Sequence, residues 1–416
     1  MLNLCIVSSG DFFSDYGGGQ VYVHNLVDAM GRREDVKLFV VSKGEQDGTA
    51  VFKEVDVYRY RDEAALSKIL TERRPDIVHA HGDKLNVAKA CKSLDIPCVV
   101  TAHHGGIVCP AGTLLNTDDN ICRIPATYTH CLKCYLRNTP TGAFWYPRVK
   151  HYSEERYARI GQRLTGHRFI PFLSPIGQTG MIVSQKMKDW KELAEHTTHF
   201  VAPSYAIAHA MRRNGCPDEK ITVIPHGIPA AKAIHESLQT EKIHFYYVGR
   251  VCYVKGVHVL LGAFHAIEKQ DVTLHLIGGA ATKGERRYMR SLQRKYRGDR
   301  RIVWHDKVVA DAVAQLIQPF HVLVHPAIYL EVFGLNIAEA IAARKYVIAT
   351  RCGGAEMQIH NEEEGQLVEP NNAIALREAM EQYIECPRQT TASYITIEQH
   401  AERLLNLYHR VTDQAI

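Results

Sequence analysis

The chain lacks the marks of several protein classes. No apolar run in its 416 residues reaches the ~18 that a membrane span requires, and the opening MLNLCIVSSG has neither a basic leader nor a cleavage site. A cytoplasmic protein is therefore expected. Neither GxGxxG nor a Walker sequence occurs, so nicotinamide-dependent and ATP-dependent chemistry lose their usual support. No Asp-x-Asp is present, and a net charge of +5 is too modest to argue for a nucleic-acid partner. Eleven cysteines are scattered along the chain, some inside apolar strands (Cys5, Cys98), which fits a reducing compartment rather than a disulfide scaffold.

What is present is a long alternation of apolar strands and amphipathic helices. At 416 residues the chain suits two domains of roughly 200 residues each. Strands are predicted at Leu2–Ser8, Val36–Ser42, Asp76–Ala80 and Cys98–Ala102, with helices at Gln20–Met30, Glu63–Arg73 and Lys84–Ser93 between them. A turn-rich exit, His226-Gly227-Ile228-Pro229, closes this half. A second alternation then starts at Ile243, with strands at Phe245–Val248, Leu274–Ile277, His321–His325 and Tyr346–Thr350. Alternating β and α units predict doubly wound parallel sheets whose sites lie beyond the carboxyl ends of the strands.

Residues able to handle a phosphate and hydroxyls collect at those strand ends. Tyr16-Gly17-Gly18-Gly19 follows the first strand, and glycines there let backbone N–H groups approach an anion. His103 closes a later strand, as do His79 and His81. In the second half, Arg250 and Lys255 share one strand-end loop, a fixed guanidinium and a mobile ammonium expected to converge on the same anion. The stretch HPAIYLEVFGLNIAEAIAA, His325–Ala343, runs from a strand through a loop bearing Glu331 into a helix bearing Glu339. A helix starting at Gly334, Leu335 or Asn336 would aim its unpaired N–H groups and positive dipole end at an anion. The two carboxylates would accept hydroxyl hydrogen bonds on either side of it.

Glu331 and Glu339, with seven residues between them, preceded by Phe333-Gly334 and followed by Ala340, resemble the glutamate pair of the retaining nucleotide-sugar glycosyltransferases of glycosyltransferase family four. Thr101-Ala102-His103 is similar to that family's histidine loop, Arg250 with Lys255 to its cation pair, and Gly18-Gly19 to its donor-facing glycines. His104 stands where many relatives have Asp, and His226 where they usually have Asn. The resemblance covers nearly the whole chain, with the motifs in order. It implies the GT-B arrangement: an acceptor-side domain over 1–228, a donor-binding domain over 229–392, and a terminal helix, 393–416, crossing back to the first. It also implies a donor site in which Arg250, Lys255 and the N–H groups near Gly334–Asn336 hold the diphosphate. Glu339 would hold the ribose, Glu331 a sugar hydroxyl, and His103 the sugar. Without Asp-x-Asp, no catalytic metal is expected. The acceptor is expected to be a glycan, a lipid-linked acceptor or a small molecule. The rival readings are a nucleotide-sugar hydrolase or epimerase on the same site, and a binding protein that has lost turnover.

Two further features stand outside that pattern. Cys109, Cys122, Cys131 and Cys134 lie in a segment, about 107–137, rich in Thr, Asn, Asp and Pro. The CxxC pair with two more thiols predicts a structural zinc, with an iron–sulfur cluster as the alternative. Cys109-Pro110-Ala111-Gly112 also resembles a cysteine-bearing subset of the same transferases. From Arg123 to Arg168, nine basic residues face two acids, Glu154 and Glu155, with aromatics such as Trp145 and Tyr152 among them. That patch predicts peripheral contact with the inner, anionic membrane surface or with a phosphate-bearing acceptor.

Overall fold

A computed structural model describes residues 1–8, 10–13, 17–138, 146, 150–165, 175–230, 242–306, 308 and 310–414. Tyr16 of the glycine turn, and Trp145, Arg148 and Arg168 of the basic stretch, lie outside the described residues. The chain divides into two compact units. One comprises Met1–Asp118, Cys122–Pro225 and Ala401–Ile416; the other comprises Asp119–Ile121 and His226–His400.

The first unit is built on an eight-stranded sheet of order β3-β4-β2-β1-β5-β6-β7-β8. The strands are β1 Leu2–Val7, β2 Val36–Lys43, β3 Gly48–Phe52, β4 Val55–Tyr60, β5 Ile77–Ala80, β6 Cys98–Thr101, β7 His199–Ala202 and β8 Ile221–Val223. All pairs are parallel except β3 with β4, a hairpin edge that the alternation of the sequence does not announce. Strands β5 and β6 are buried throughout, as expected for apolar runs covered on both faces. The crossover helices are α1 Gly18–Gly31, α2 Glu63–Arg73 and α3 Lys84–Ser93. After β6 the chain forms α4 Tyr128–Asn138, α5 Glu154–Thr165 and α6 Pro175–His196, then α7 Tyr205–Arg213. Ser204 occupies the N-cap of α7, but its hydroxyl makes no cap bond.

The second unit carries a six-stranded, wholly parallel sheet of order β11-β10-β9-β12-β13-β14. Its strands are β9 Ile243–Val248, β10 Val272–Ile277, β11 Ile302–His305, β12 Val322–His325, β13 Tyr346–Thr350 and β14 Gln366–Val368. Helices α8 Val257–His265, α9 Lys283–Lys295, α10 Ala310–Leu316, α11 Leu335–Ala342 and α12 Ala373–Glu385 cover it. Ile337, Ala340 and Ile341 of α11 pack on Tyr246, Leu323 and Val347 of the sheet, which seats that helix firmly above the strand ends. The last helix, α13 Ile397–Asp413, returns to the first unit from Ala401 on, where Tyr408 Oη lies 2.5 Å from His79 Nδ1.

In each sheet the strand order turns back at one place: between β1 and β5 in the first unit, and between β9 and β12 in the second. Connections leave such a point in opposite directions, so the carboxyl ends of the two central strands flank an open crevice.

Candidate active site

At the β9–β12 crevice the polypeptide assembles a compact polar cluster. The loop after β9 makes a single 3₁₀ turn, Tyr253–Lys255, and ends at Gly256 before α8. Gly256 has φ +70°, and a Cβ there would sit 1.8 Å from the Pro326 carbonyl oxygen, so only glycine lets the β9 loop lie against the β12 loop. That approach brings Lys255 to Glu331. Their side chains form a direct ion pair, with only 22% and 14% of each exposed. Tyr329 Oη donates to the same carboxylate oxygen at 2.9 Å, and the Lys255 ammonium lies 5.2 Å from the Tyr329 ring centre.

Burial alone would push the Glu331 pKa up, but the charge of Lys255 and the imidazole of His325 outweigh it and hold the carboxyl well below its usual range. For Lys255, burial works against the ammonium and Glu331 overcomes it, so its pKa stands well above the ordinary lysine value. The main chain of Glu331 is also pinned: its N–H donates to Cys352 O at 2.7 Å, and its carbonyl accepts from Gly354 N at 2.8 Å.

His325 supplies the back wall. Asn336 Nδ2 donates to Val248 O at 3.0 Å, which settles which end of the amide is nitrogen, and the same group lies 3.1 Å from His325 Nδ1. Nδ1 is therefore an acceptor and the imidazole carries its proton on Nε2, 3.6 Å from Glu331 Oε2. Neither the partnership of His325 with Glu331 nor the clamp by the Asn336 side chain is foreseen from spacing. The available signal is a histidine closing a buried strand directly before a carboxylate loop.

Gly334, at φ +84°, is the N-cap of α11. The first bonds back to it come from Ile337 and Ala338, so the N–H groups of Leu335 and Asn336 precede the intrahelical ladder and are available to an anion. Glu339, one turn further on, lies half-buried beside Val313, Ala314 and Ile317. Arg250 is not drawn into the Lys255–Glu331 pair. Its Nε lies 3.5 Å from Glu285 at the head of α9, and 55% of its side chain is exposed. The expected roles of the two cations are thus reversed: the ammonium is fixed and the guanidinium is the reaching group, because the 3₁₀ turn carries Lys255 inward.

In the first unit, Gly18 and Gly19 form the opening turn of α1 with Gly17 as N-cap. His103 Nε2 is 2.8 Å from His81 Nδ1, and both rings rest edge-on against Tyr22 of α1. His79, by contrast, is wholly buried between Tyr408 Oη and Thr101 Oγ1 and belongs to the framework. A cavity of about 240 Å³ opens beside His103, lined also by His104, Lys84, Lys186, Asp189 and Trp190.

Of the four expected metal ligands, Cys131 and Cys134 each lie close enough to Cys109 and Cys122 for their charges to interact. Cys109, Cys131 and Cys134 are buried, and Cys134 Sγ donates to Leu115 O at 3.2 Å. Cys122 Sγ lies 3.7 Å from His130 Nε2, whose Nδ1 is 3.0 Å from Glu154. Among the described residues no group of three or more His, Cys, Asp or Glu is placed to hold a metal ion. Helix α4 explains the order of this segment: Leu132 and Leu136 pack with Tyr157 in a small core that the composition does not reveal.

Comparison with known proteins follows the same division. Residues 231–399 match the family model "Glycosyl transferases group 1", and residues 16–119 match "Glycosyltransferase Family 4". An uncharacterized glycosyltransferase of Methanocaldococcus jannaschii is 27% identical over 216 residues, 47% of this chain and 54% of that protein. A D-inositol 3-phosphate glycosyltransferase of Arthrobacter sp. (strain FB24) is 28% identical over 187 residues, 42% of this chain and 44% of that protein. The chain thus spans about half the length of these curated relatives. The crystal structure of Anabaena HepE in complex with UDP superposes with a TM-score of 0.64 at 18% identity, covering 100% of this chain and 98% of that one. The fold is GT-B. More narrowly, the chain carries two stretches, 231–399 and 16–119, that are each similar to a glycosyltransferase domain.

Proposed function

We propose that the protein transfers a sugar, with retention of anomeric configuration, from a nucleoside-diphosphate sugar to a hydroxyl of a glycan, lipid-linked or small-molecule acceptor. The observation that carries this reading is the buried Lys255–Glu331 pair at the β9–β12 crevice, on the loop that leads into the N-terminus of α11. Departure of the diphosphate concentrates negative charge on its oxygens. Lys255 and the N–H groups of Leu335 and Asn336 are fixed donors for that charge, already oriented before it develops, and Arg250 is a longer arm able to leave Glu285 for it. Glu331, kept ionised by Lys255 and His325, accepts a hydrogen bond from a sugar hydroxyl, and Glu339 takes the ribose. His103, oriented by His81, is assigned to the transferred sugar on the strength of its motif.

UDP is the nucleotide to try first, since the similar Anabaena protein was crystallised with it. UDP- and GDP-sugars are screened by thermal shift, and products are then identified with a radiolabelled donor. Transfer lost by orders of magnitude in Glu331→Ala and Lys255→Ala, with folding kept, supports the assignment; unchanged turnover in both rejects it. Free sugar or an epimerised donor as the sole product would mean a hydrolase or epimerase, and tight donor binding without any product would mean a binding protein. The cysteines have no part in this chemistry, and a bound zinc or iron–sulfur cluster there requires at least half an equivalent on metal analysis.

A further inference from the structure

Helix α9 is the most one-sidedly charged element among the described residues, and its basic side chains have no assigned part in the donor site. Six of its thirteen residues are basic (Lys283, Arg286, Arg287, Arg290, Arg294, Lys295) and one, Glu285, is acidic. All six are exposed. At 100° per residue the first five fall within an arc of about 100°, diametrically opposite Leu292, the one fully buried residue of the helix. They form an unbroken cationic stripe roughly 16 Å long.

Little of this charge is used inside the chain: Lys295, which lies off the stripe, is 5.0 Å from the Tyr296 ring centre. Among the described residues no carboxylate pairs with any of the six; Arg286 and Arg290 reach only backbone carbonyls, at 3.2 and 3.3 Å. Glu285 is occupied elsewhere, capping the helix through the N–H groups of Ala281 and Thr282 and facing Arg250. Lys283/Arg287, Arg286/Arg290 and Arg290/Arg294 are like-charged i,i+4 pairs that repel one another. Two of the cations also sit in the first turn, where the helix dipole disfavours them. Only Arg294 and Lys295, in the last turn, suit the dipole, so the stripe as a whole points to an external polyanion.

We propose that α9 is an electrostatic docking face for an anionic lipid bilayer. A straight row of cations on one helix presents charge to a plane, and such residues attract an anionic leaflet without insertion. The stripe carries no exposed aromatic ring, so the stacking that holds single-stranded nucleic acid is missing. This face lies in the second unit and is separate from the membrane contact expected from residues 123–168. It stands independently of the donor assignment.

Full-length protein is sedimented with vesicles of phosphatidylcholine alone or with ~30% phosphatidylglycerol, at low and high salt. Wild type should partition onto the anionic vesicles only and be released as the Debye length falls from ~10 Å at 0.1 M to ~3 Å at 1 M. The variant R287Q/R290Q/R294Q should partition about a hundredfold less, at roughly fivefold per charge removed. R287K/R290K/R294K, which keeps the charge, should partition like wild type, and nucleotide binding should be unchanged in both. Equal partition of wild type onto neutral vesicles, salt-insensitive binding, wild-type-like binding by the glutamine variant, or preference for an RNA or DNA duplex over anionic vesicles at 0.15 M salt would each overturn the proposal. If the triple glutamine variant does not fold, the single variants R287Q and R294Q, each expected to partition about fivefold less, localise the contact to α9, and wild-type-like partition of both overturns it.

Discussion

The ion pair between Lys255 and Glu331 makes a demand that ordinary surface pairs do not. Both side chains are largely out of water, so removing one partner strands the other charge in a poorly hydrated place. Breaking a buried pair costs about 3–5 kcal/mol. Here the lower end applies, because an orphaned Glu331 keeps Tyr329 and His325, and an orphaned Lys255 keeps the Tyr329 ring. Lys255→Met and Glu331→Gln should therefore each destabilise the second unit by roughly 3 kcal/mol. For a unit of this size that is about 6–12 °C in Tm. The double variant removes both charges and should melt no lower than either single one, giving a coupling of about 3 kcal/mol in a double-mutant cycle. Transfer, if Lys255 stabilises the departing diphosphate, should stay at least ~100-fold down in all three. Calorimetry resolving the two units, run beside a donor-turnover assay, measures both. Additive losses of Tm would show that the two charges do not act as a pair. Recovery of transfer in the double variant would remove them from the chemistry.

Three other outcomes are expected. Gly256→Ala places a methyl 1.8 Å from the Pro326 carbonyl at φ +70° and should lower donor affinity and Tm together, by at least ~2 kcal/mol in stability; a variant with wild-type Tm would mean that the loop relaxes freely. Tyr408→Phe leaves the buried His79 without its Oη partner and should cost about 1–3 kcal/mol, read by denaturant unfolding of the first unit; a loss under 0.5 kcal/mol would deny the last helix its anchoring bond. On the β9–β12 sheet, burial and then the neighbouring His244 push His275 and His321 down to about 4. Unfolded histidines protonate near 6.5 while these stay neutral, so their share of stability is complete above pH ~6.5 and drains away as the pH falls towards 4. The loss is at most about 3 kcal/mol each. His275→Gln should shift the acid-unfolding midpoint downwards, and an unchanged or raised midpoint would refute this.

How much of this was legible beforehand depends on the range of the forces concerned. The parallel sheets follow from local pattern: Leu2–Val7, Cys98–Thr101 and Val322–His325 are apolar runs bounded by turns, and such runs have few other ways to hide both faces. Elements with weak or one-sided patterning escaped: the β3 edge hairpin, the short β14, and α9, whose residues are mostly exposed and so carry little apolar period. Of the residues that line the candidate site, Lys255, Glu331, Gly334 and Asn336 each stand after a strand or at a helix start, positions that local pattern marks.

The sequence by itself determined that there are two sheets of this type, where their strand-end loops fall, and which residues capable of handling a phosphate stand on them, because strand and helix periodicity are read over a few neighbouring residues. Only the tertiary structure decided that Lys255 is bound to Glu331 while Arg250 reaches outward, that Asn336 sets the tautomer of His325, and that Cys122 faces His130. Those outcomes rest on contacts between segments tens of residues apart, where a few ångströms of backbone approach, such as that allowed by Gly256, settle which charges meet.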